Sequence, residues 1–176
     1  MCRACFIVDR FAERFCGTGG ALYFPGAESV LPPVLDLVKK YREQSLPIIT
    51  TQDWHEENDA EFQIWPKHCV KDGAGAELVK ALKESLSGYE KHLTVRKTRY
   101  SAFYGTNFEE IIESYGIDEV EVCGVVTHIC VLFTVEELRN RGIRTIVRKD
   151  AVASYDEGFH ACALKLMREV LRAEVI

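Results

Sequence analysis

The sequence predicts an α/β fold in which helices cover both faces of a parallel sheet. Three observations carry this. Short β-rich runs alternate with helical stretches along the whole chain. The strand runs are nearly continuously apolar, as in strands buried on both faces. Asp9, Asp53, Lys97 and Thr127 fall at or just beyond strand ends, the edge where open α/β sheets bind ligands.

In order, the strand candidates are Ala4–Asp9, Pro47–Gln52, Leu93–Arg96, Val120–Val125 and Thr145–Arg148. Helices are expected over Ala27–Gln44, Ala76–Ser85, Asn107–Tyr115, Ile129–Arg141 and Glu157–Leu171. The segments Arg10–Pro25, rich in glycine, and Glu56–Gly75, rich in polar residues, fit neither period. Loops of that length in a compact domain are usually functional. No repeat, low-complexity linker or boundary divides the chain, so one domain over residues 1–176 is expected.

Composition narrows the function. The apolar fraction of 47% and charged fraction of 28% are those of a globular protein. A net charge of −5 argues against nucleic acid or an anionic membrane as partner. No apolar run approaches the roughly 20 residues of a membrane span. The opening MCRACFIVDRF lacks the apolar core of a signal peptide, so a cytoplasmic location is expected. Seven cysteines, an odd and scattered set, do not make a disulfide framework. Cys2 and Cys5 form a C-x-x-C without a second pair at zinc-ribbon spacing, and Cys5 opens an apolar run, so packing is the simpler reading.

Cys130 is the most informative residue. It follows the strand EVEVCGV and precedes VLFTVEELRNRG, whose Val131, Leu132, Val135 and Leu138 recur at helical spacing and stop at Gly142. With Thr127 as N-cap, Cys130 lies in the first helical turn. A cysteine there meets the positive helix end and unpaired backbone N–H groups, which favour thiolate and can hold a developing oxyanion. A buried cysteine that only packs helix on sheet is the plainer alternative. Asp9 ends an apolar strand. It could merely cap a loop, but beside a thiol it could take the proton and return it to a leaving amine. Lys97 opens KTRYSAF, and beside Asp9 and Cys130 its charge would favour the ionised forms of both.

Asp53 and His55 in TQDWH, with Glu61 and His68 in the following loop, form a second group. Asp53 and His55 stand two apart, so on an extended strand end they project to one side. His68 can return to meet them. Two imidazoles and one or two carboxylates, with positions left for water, suit a divalent transition metal: zinc first, with manganese or iron compatible. Two of the five histidines fall between positions 55 and 68, each near an acid. His128, where the helix dipole disfavours protonation, is read as lining the site or packing. His92 and His160 lack acidic company, and His160, within a helix, is read as structural.

With these residues assembled, the chain resembles the isochorismatase-like cysteine hydrolases, and among them the nicotinamidases. The shared motifs span nearly the whole chain: the strand ending in Asp9, GGALxxPGAE at Gly19–Glu28, TxDWH at Thr51–His55, WPxHCV at Trp65–Val70, GAEL at Gly75–Leu78, KxxYSAF at Lys97–Phe103 and GVxTxxC at Gly124–Cys130. The resemblance implies a single-domain, six-stranded parallel sheet with Rossmann-like layering. It implies a catalytic triad of Cys130, Asp9 and Lys97, and a metal held by Asp53, His55 and His68, joined by Glu61 in some members. It further implies a cis peptide at Val125–Val126 and an oxyanion hole from the Val126 and Cys130 N–H groups. Substrate-binding candidates are Phe15, Trp65, Tyr100 and Val126. The implied activity is metal-dependent hydrolysis of nicotinamide, a small-molecule carboxamide, to nicotinate and ammonia. The alternative is a metal-free relative acting on an N-carbamoyl or ureido compound. Family members are often dimers or larger, so a homo-oligomer is expected. Two positions depart from the family. Asp9–Phe15 replaces the usual DxQxDF, leaving Phe11 or Phe15 as the covering aromatic. His128 stands where an acid is usual.

Overall fold

In the computed structural model, residues 20–176 are described in full and Ala4–Asp9 as backbone. All strand pairings are parallel, in the order β3-β2-β1-β4-β5-β6. The strands are β1 (Ala4–Asp9), β2 (Ile48–Asp53), β3 (His92–Lys97), β4 (Glu119–Val125), β5 (Arg144–Ala153) and β6 (Glu174–Val175). The backbone register of β1 joins two groups, β2 with β3 on one side and β4 to β6 on the other. Among the described residues, five α-helices connect them: α1 (Leu31–Glu43), α2 (Lys80–Leu86), α3 (Phe108–Tyr115), α4 (Leu132–Asn140) and α5 (Glu157–Glu169).

The strand pleat sorts the core into two layers. Ile48, Cys123 and Val125 pack with Val34, Leu37, Val38 and Tyr41 of α1 and with Leu82 and Leu86 of α2. Ile49, Val120, Val122 and Val147 point the other way, onto Ile111 and Ile112 of α3, Val135 and Leu138 of α4 and Met167 of α5. Neighbouring strand residues thus serve opposite layers, which explains why the sequence reads as continuously apolar. Helix ends follow local chemistry. Pro32 and Pro33 open α1, Asp156 caps α5 by accepting from the Phe159 N–H at 2.7 Å, and Gly116 closes α3 with φ 58°.

The chain winds from β1 out to β3, then returns to β4 and winds the other way. The β1/β4 boundary is therefore the topological switch point, where a crevice opens at the carboxyl ends of the strands. Asp9 pairs with Gly124 and Asp53 with Lys97 in register, so those ends are level.

Several expected elements shift. The predicted helix from Ala76 starts only at Lys80, because Ala74–Ala76 is a 3-10 turn, Glu77 is extended and Val79 is not helical. The Ala27–Gln44 prediction divides into a 3-10 turn over Ala27–Val30 and α1. β5 runs well past Arg148, and the two-residue β6 went unforeseen.

Candidate active site

The turn after β4 carries the nucleophile candidate. Thr127–Val131 forms a π-helical turn, with the Val131 N–H reaching the Val126 carbonyl at 3.4 Å, and leads directly into α4. Such turns recur at functional sites. The register of β4 against β5 slips between Val122 and Gly124, where Gly124 has φ 126°. Only glycine adopts that conformation without strain, and it re-aims the chain into the turn. The Val125–Val126 peptide is cis, as the resemblance implied. Thr127 is not the N-cap expected of it: Val126 holds that position without a side-chain cap, and Thr127 lies inside the turn. The Thr127 hydroxyl instead meets His160 Nδ1 at 2.9 Å, so α5 anchors the turn from below. His160 thus has a definite partner that its surroundings in sequence did not suggest.

Cys130 is fully buried in this turn. Lys97 Nζ lies 3.5 Å from its Sγ and 2.7 Å from Asp53 Oδ1, and donates to the Arg99 carbonyl at 3.0 Å. An ammonium so placed favours thiolate over thiol by direct attraction. The contact between Lys97 and Asp53 went unforeseen. It joins the cysteine to the acid-histidine group, which the sequence treats as separate. Register explains it, since Asp53 and Lys97 are Cα partners on adjacent strands. Asp9 ends β1 beside Gly124, while its side chain and Phe15 fall outside the described residues.

Asp53, His55 and His68 converge, each offering a ligand atom within 4.8 Å of the others, and all three are buried. An isolated parallel bridge between His55 and Val70 brings the loop back, with the His55 N–H on the Cys69 carbonyl at 3.0 Å. The imidazoles are oriented from behind. His68 Nδ1 lies 2.7 Å from the Pro66 carbonyl, which can only accept, so Nδ1 carries the proton and Nε2 presents its lone pair. His55 Nδ1 meets Asp59 Oδ2 at 3.0 Å, and its buried Nε2 makes no hydrogen bond. A buried imidazole nitrogen without a partner, aimed where a second imidazole and a carboxylate converge, fits a divalent ion.

Asp59, which contacts the buried His55, is a candidate site residue that sequence reading missed. Burial alone would raise its pKa, yet the Glu61 backbone N–H, His55 and Arg99 together hold it below the usual carboxylate value. Its position four residues after His55 was the available signal. Glu61 is buried with Arg99 Nη1 3.6 Å from Oε2, and it is not among the three converging ligands.

Beside the turn lies an apolar cavity of about 230 Å³, lined by Leu22, Phe24, Trp65, Val126, Ile129 and Tyr155 among others. Two of the expected substrate residues, Trp65 and Val126, are on this wall. Tyr100 is not: its hydroxyl accepts from Trp65 Nε1 at 2.9 Å, and its ring stacks on Phe133. It holds Trp65 rather than lining the cavity. His128 is held below its usual pKa chiefly by burial, with Asp156 opposing and His160 adding. The direction matches the sequence expectation, but burial replaces the helix dipole as cause.

The comparisons with known proteins define the class, a hydrolase with an α/β fold. The isochorismatase-domain family model matches residues 3–176, and the chain belongs to the isochorismatase family. The crystal structure of a nicotinamidase/pyrazinamidase from Bacillus subtilis superposes with a TM-score of 0.93, at 27% identity over 98% of each chain. That of a pyrazinamidase from Pyrococcus horikoshii in complex with zinc gives 0.89 at 29% identity, covering 99% of this chain and 98% of the other. The N-carbamoylsarcosine amidase of Thermoplasma acidophilum gives 0.86 at 29% identity, covering 98% and 95%. Among the described residues, no helix is long and apolar enough to cross a membrane.

Proposed function

We propose that this chain is an amidohydrolase that converts nicotinamide to nicotinate and ammonia through a Cys130 thioester. The observation that carries the reading is the Lys97 bridge. One buried ammonium links the cysteine at 3.5 Å to the Asp-His-His cluster at 2.7 Å, beside a cavity sized for one small ring.

In this mechanism Asp9 accepts the Cys130 thiol proton and the thiolate attacks the carboxamide carbon, forming the S–C bond. The Val126 and Cys130 N–H groups hold the oxyanion. Asp9 returns the proton to nitrogen, the C–N bond breaks and ammonia leaves. Asp9 then takes a proton from water, whose oxygen attacks the thioester carbon. Cleavage of the C–S bond frees nicotinate and restores Cys130. Lys97, 3.5 Å from Sγ, stabilises the thiolate each time Asp9 takes its proton. A divalent ion held by Asp53, His55 and His68 would supply an open position for the pyridine nitrogen, orienting the substrate by approximation. Trp65, braced by Tyr100, forms an apolar wall for the ring.

Ammonia release from nicotinamide, measured beside N-carbamoylsarcosine, tests the substrate assignment. The second substrate is included because of the Thermoplasma neighbour. Preference for nicotinamide supports the proposal, and turnover of the N-carbamoyl compound alone would replace it. Hydrolysis of N-carbamoyl amines by a metal-free relative leaves the buried, unbonded His55 Nε2 without a purpose.

Asp9→Asn preserves shape while removing the base. It should lower kcat by about 10²–10⁴-fold, and a loss under tenfold in steady-state assays would reduce Asp9 to a loop cap. Asp59→Asn should weaken metal affinity by roughly 10–100-fold, as for other outer-sphere partners of a ligating histidine. Competition against a chromophoric chelator measures that change, and unchanged affinity would remove Asp59 from the metal's support.

A further inference from the structure

Tyr155 lines the apolar cavity and is also 51% exposed, so its ring stands between cavity and solvent. A half-exposed tyrosine ordinarily samples several rotamers, and holding it in one costs side-chain entropy. Here three contacts hold it. Its ring meets Phe24 edge-on at 6.1 Å and His128 edge-on at 5.0 Å, and its hydroxyl lies 3.2 Å from His128 Nε2. His128 is fixed in turn. Its Nδ1 meets Ser154 Oγ at 2.8 Å, its ring packs on Phe159 at 5.0 Å, and Ser154 Oγ also accepts the Asp156 N–H that opens α5. His128 belongs to the same π-helical turn as Cys130, two residues before it. The turn that sets the thiol therefore also sets this wall.

We infer that Tyr155 is a specificity-determining residue: with Phe24 it closes the solvent side of the cavity, and His128 is the positioning residue that holds it there. The site then takes a flat aromatic carboxamide and rejects one bearing an added substituent on the edge that meets Tyr155. This inference rests on the cavity being the substrate-ring site of the proposed amidohydrolase. An acid at position 128 could accept from the tyrosine hydroxyl but would offer no ring for it to pack against, so histidine serves both contacts.

The test measures kcat/KM for nicotinamide and its four ring-methylated isomers with three forms of the full chain: wild type, Tyr155→Ala and His128→Phe. In tight apolar pockets one methyl changes kcat/KM by about 10–200-fold. Wild type should reject at least one isomer, and Tyr155→Ala should raise that isomer's kcat/KM relative to nicotinamide by roughly tenfold or more. His128→Phe keeps an aromatic ring but loses both hydrogen bonds, and should shift the same ratio in the same direction by less. General destabilisation would lower all substrates together and leave the ratio unmoved. An active wild type whose ratios stay within about twofold in Tyr155→Ala overturns the inference alone, since that lies below the range for one methyl. A wild type inactive on every isomer and on nicotinamide overturns the amidohydrolase reading and the inference with it. Because Tyr155 is half exposed, its alanine variant is expected to fold, and the test stands on that variant even if His128→Phe does not fold.

Discussion

Cys130→Ala should release no measurable ammonia from nicotinamide, a loss of at least roughly 10³-fold in kcat, because it removes the thiol that Lys97 contacts. Stability should fall by only about 1 kcal/mol, since one buried sulfur is removed. Lys97 is not left as an isolated buried charge in this variant, because Asp53 Oδ1 remains 2.7 Å from Nζ. The fold and metal content should therefore survive, and the variant should still bind substrate. Single-turnover and steady-state assays both read the outcome. Retention of a tenth of the wild-type rate would exclude covalent catalysis through Cys130. Cys130→Ser should be nearly as inactive, since a hydroxyl is a far weaker nucleophile at neutral pH.

His68→Ala, or His55→Ala, should lose the metal on gel filtration and raise the apparent KM for nicotinamide strongly. Losing one of three converging ligands should exceed the roughly 10–100-fold effect of an outer partner. The thiol should remain reactive, because the contact between Lys97 and Cys130 runs through neither histidine. Cys162 is exposed and will also react, so alkylation must be read peptide by peptide. Full metal content in both variants would remove these histidines from the site. A Cys130 that stopped reacting in them would show that the two halves are coupled more tightly than the Lys97 bridge requires.

Much of this was legible in the sequence because it depends on local pattern. Burial on both faces underlies the β-rich runs at β2 and β4, and TxDWH with a later histidine marks the candidate ligand group that the fold brings together. What escaped depends on register or on competition between local choices. The contact between Lys97 and Asp53 requires knowing that β2 and β3 are neighbours in that alignment. Thr127 has a good capping side chain, yet its hydroxyl is engaged by His160, 33 positions later. β5 was cut short at Arg148 because Arg148, Lys149 and Asp150 look like a loop. In the fold, Arg148 reaches Asp150 and the buried Glu121, so the strand carries its charges through. Asp59 has the pattern of one more polar loop residue, and only the fold brings its oxygens onto His55, the Glu61 N–H and Arg99.

The central claim is that one buried lysine joins a thioester-forming cysteine to a metal that orients nicotinamide. Its most direct test is ammonia release from nicotinamide by the wild-type chain stripped with chelator and then reloaded. Elemental analysis before stripping should find about one transition metal per chain. Stripped protein should lose turnover while Cys130 still alkylates, and zinc, manganese or iron should restore it. Turnover of nicotinamide unchanged after complete stripping, with no metal binding on reloading, would contradict the account.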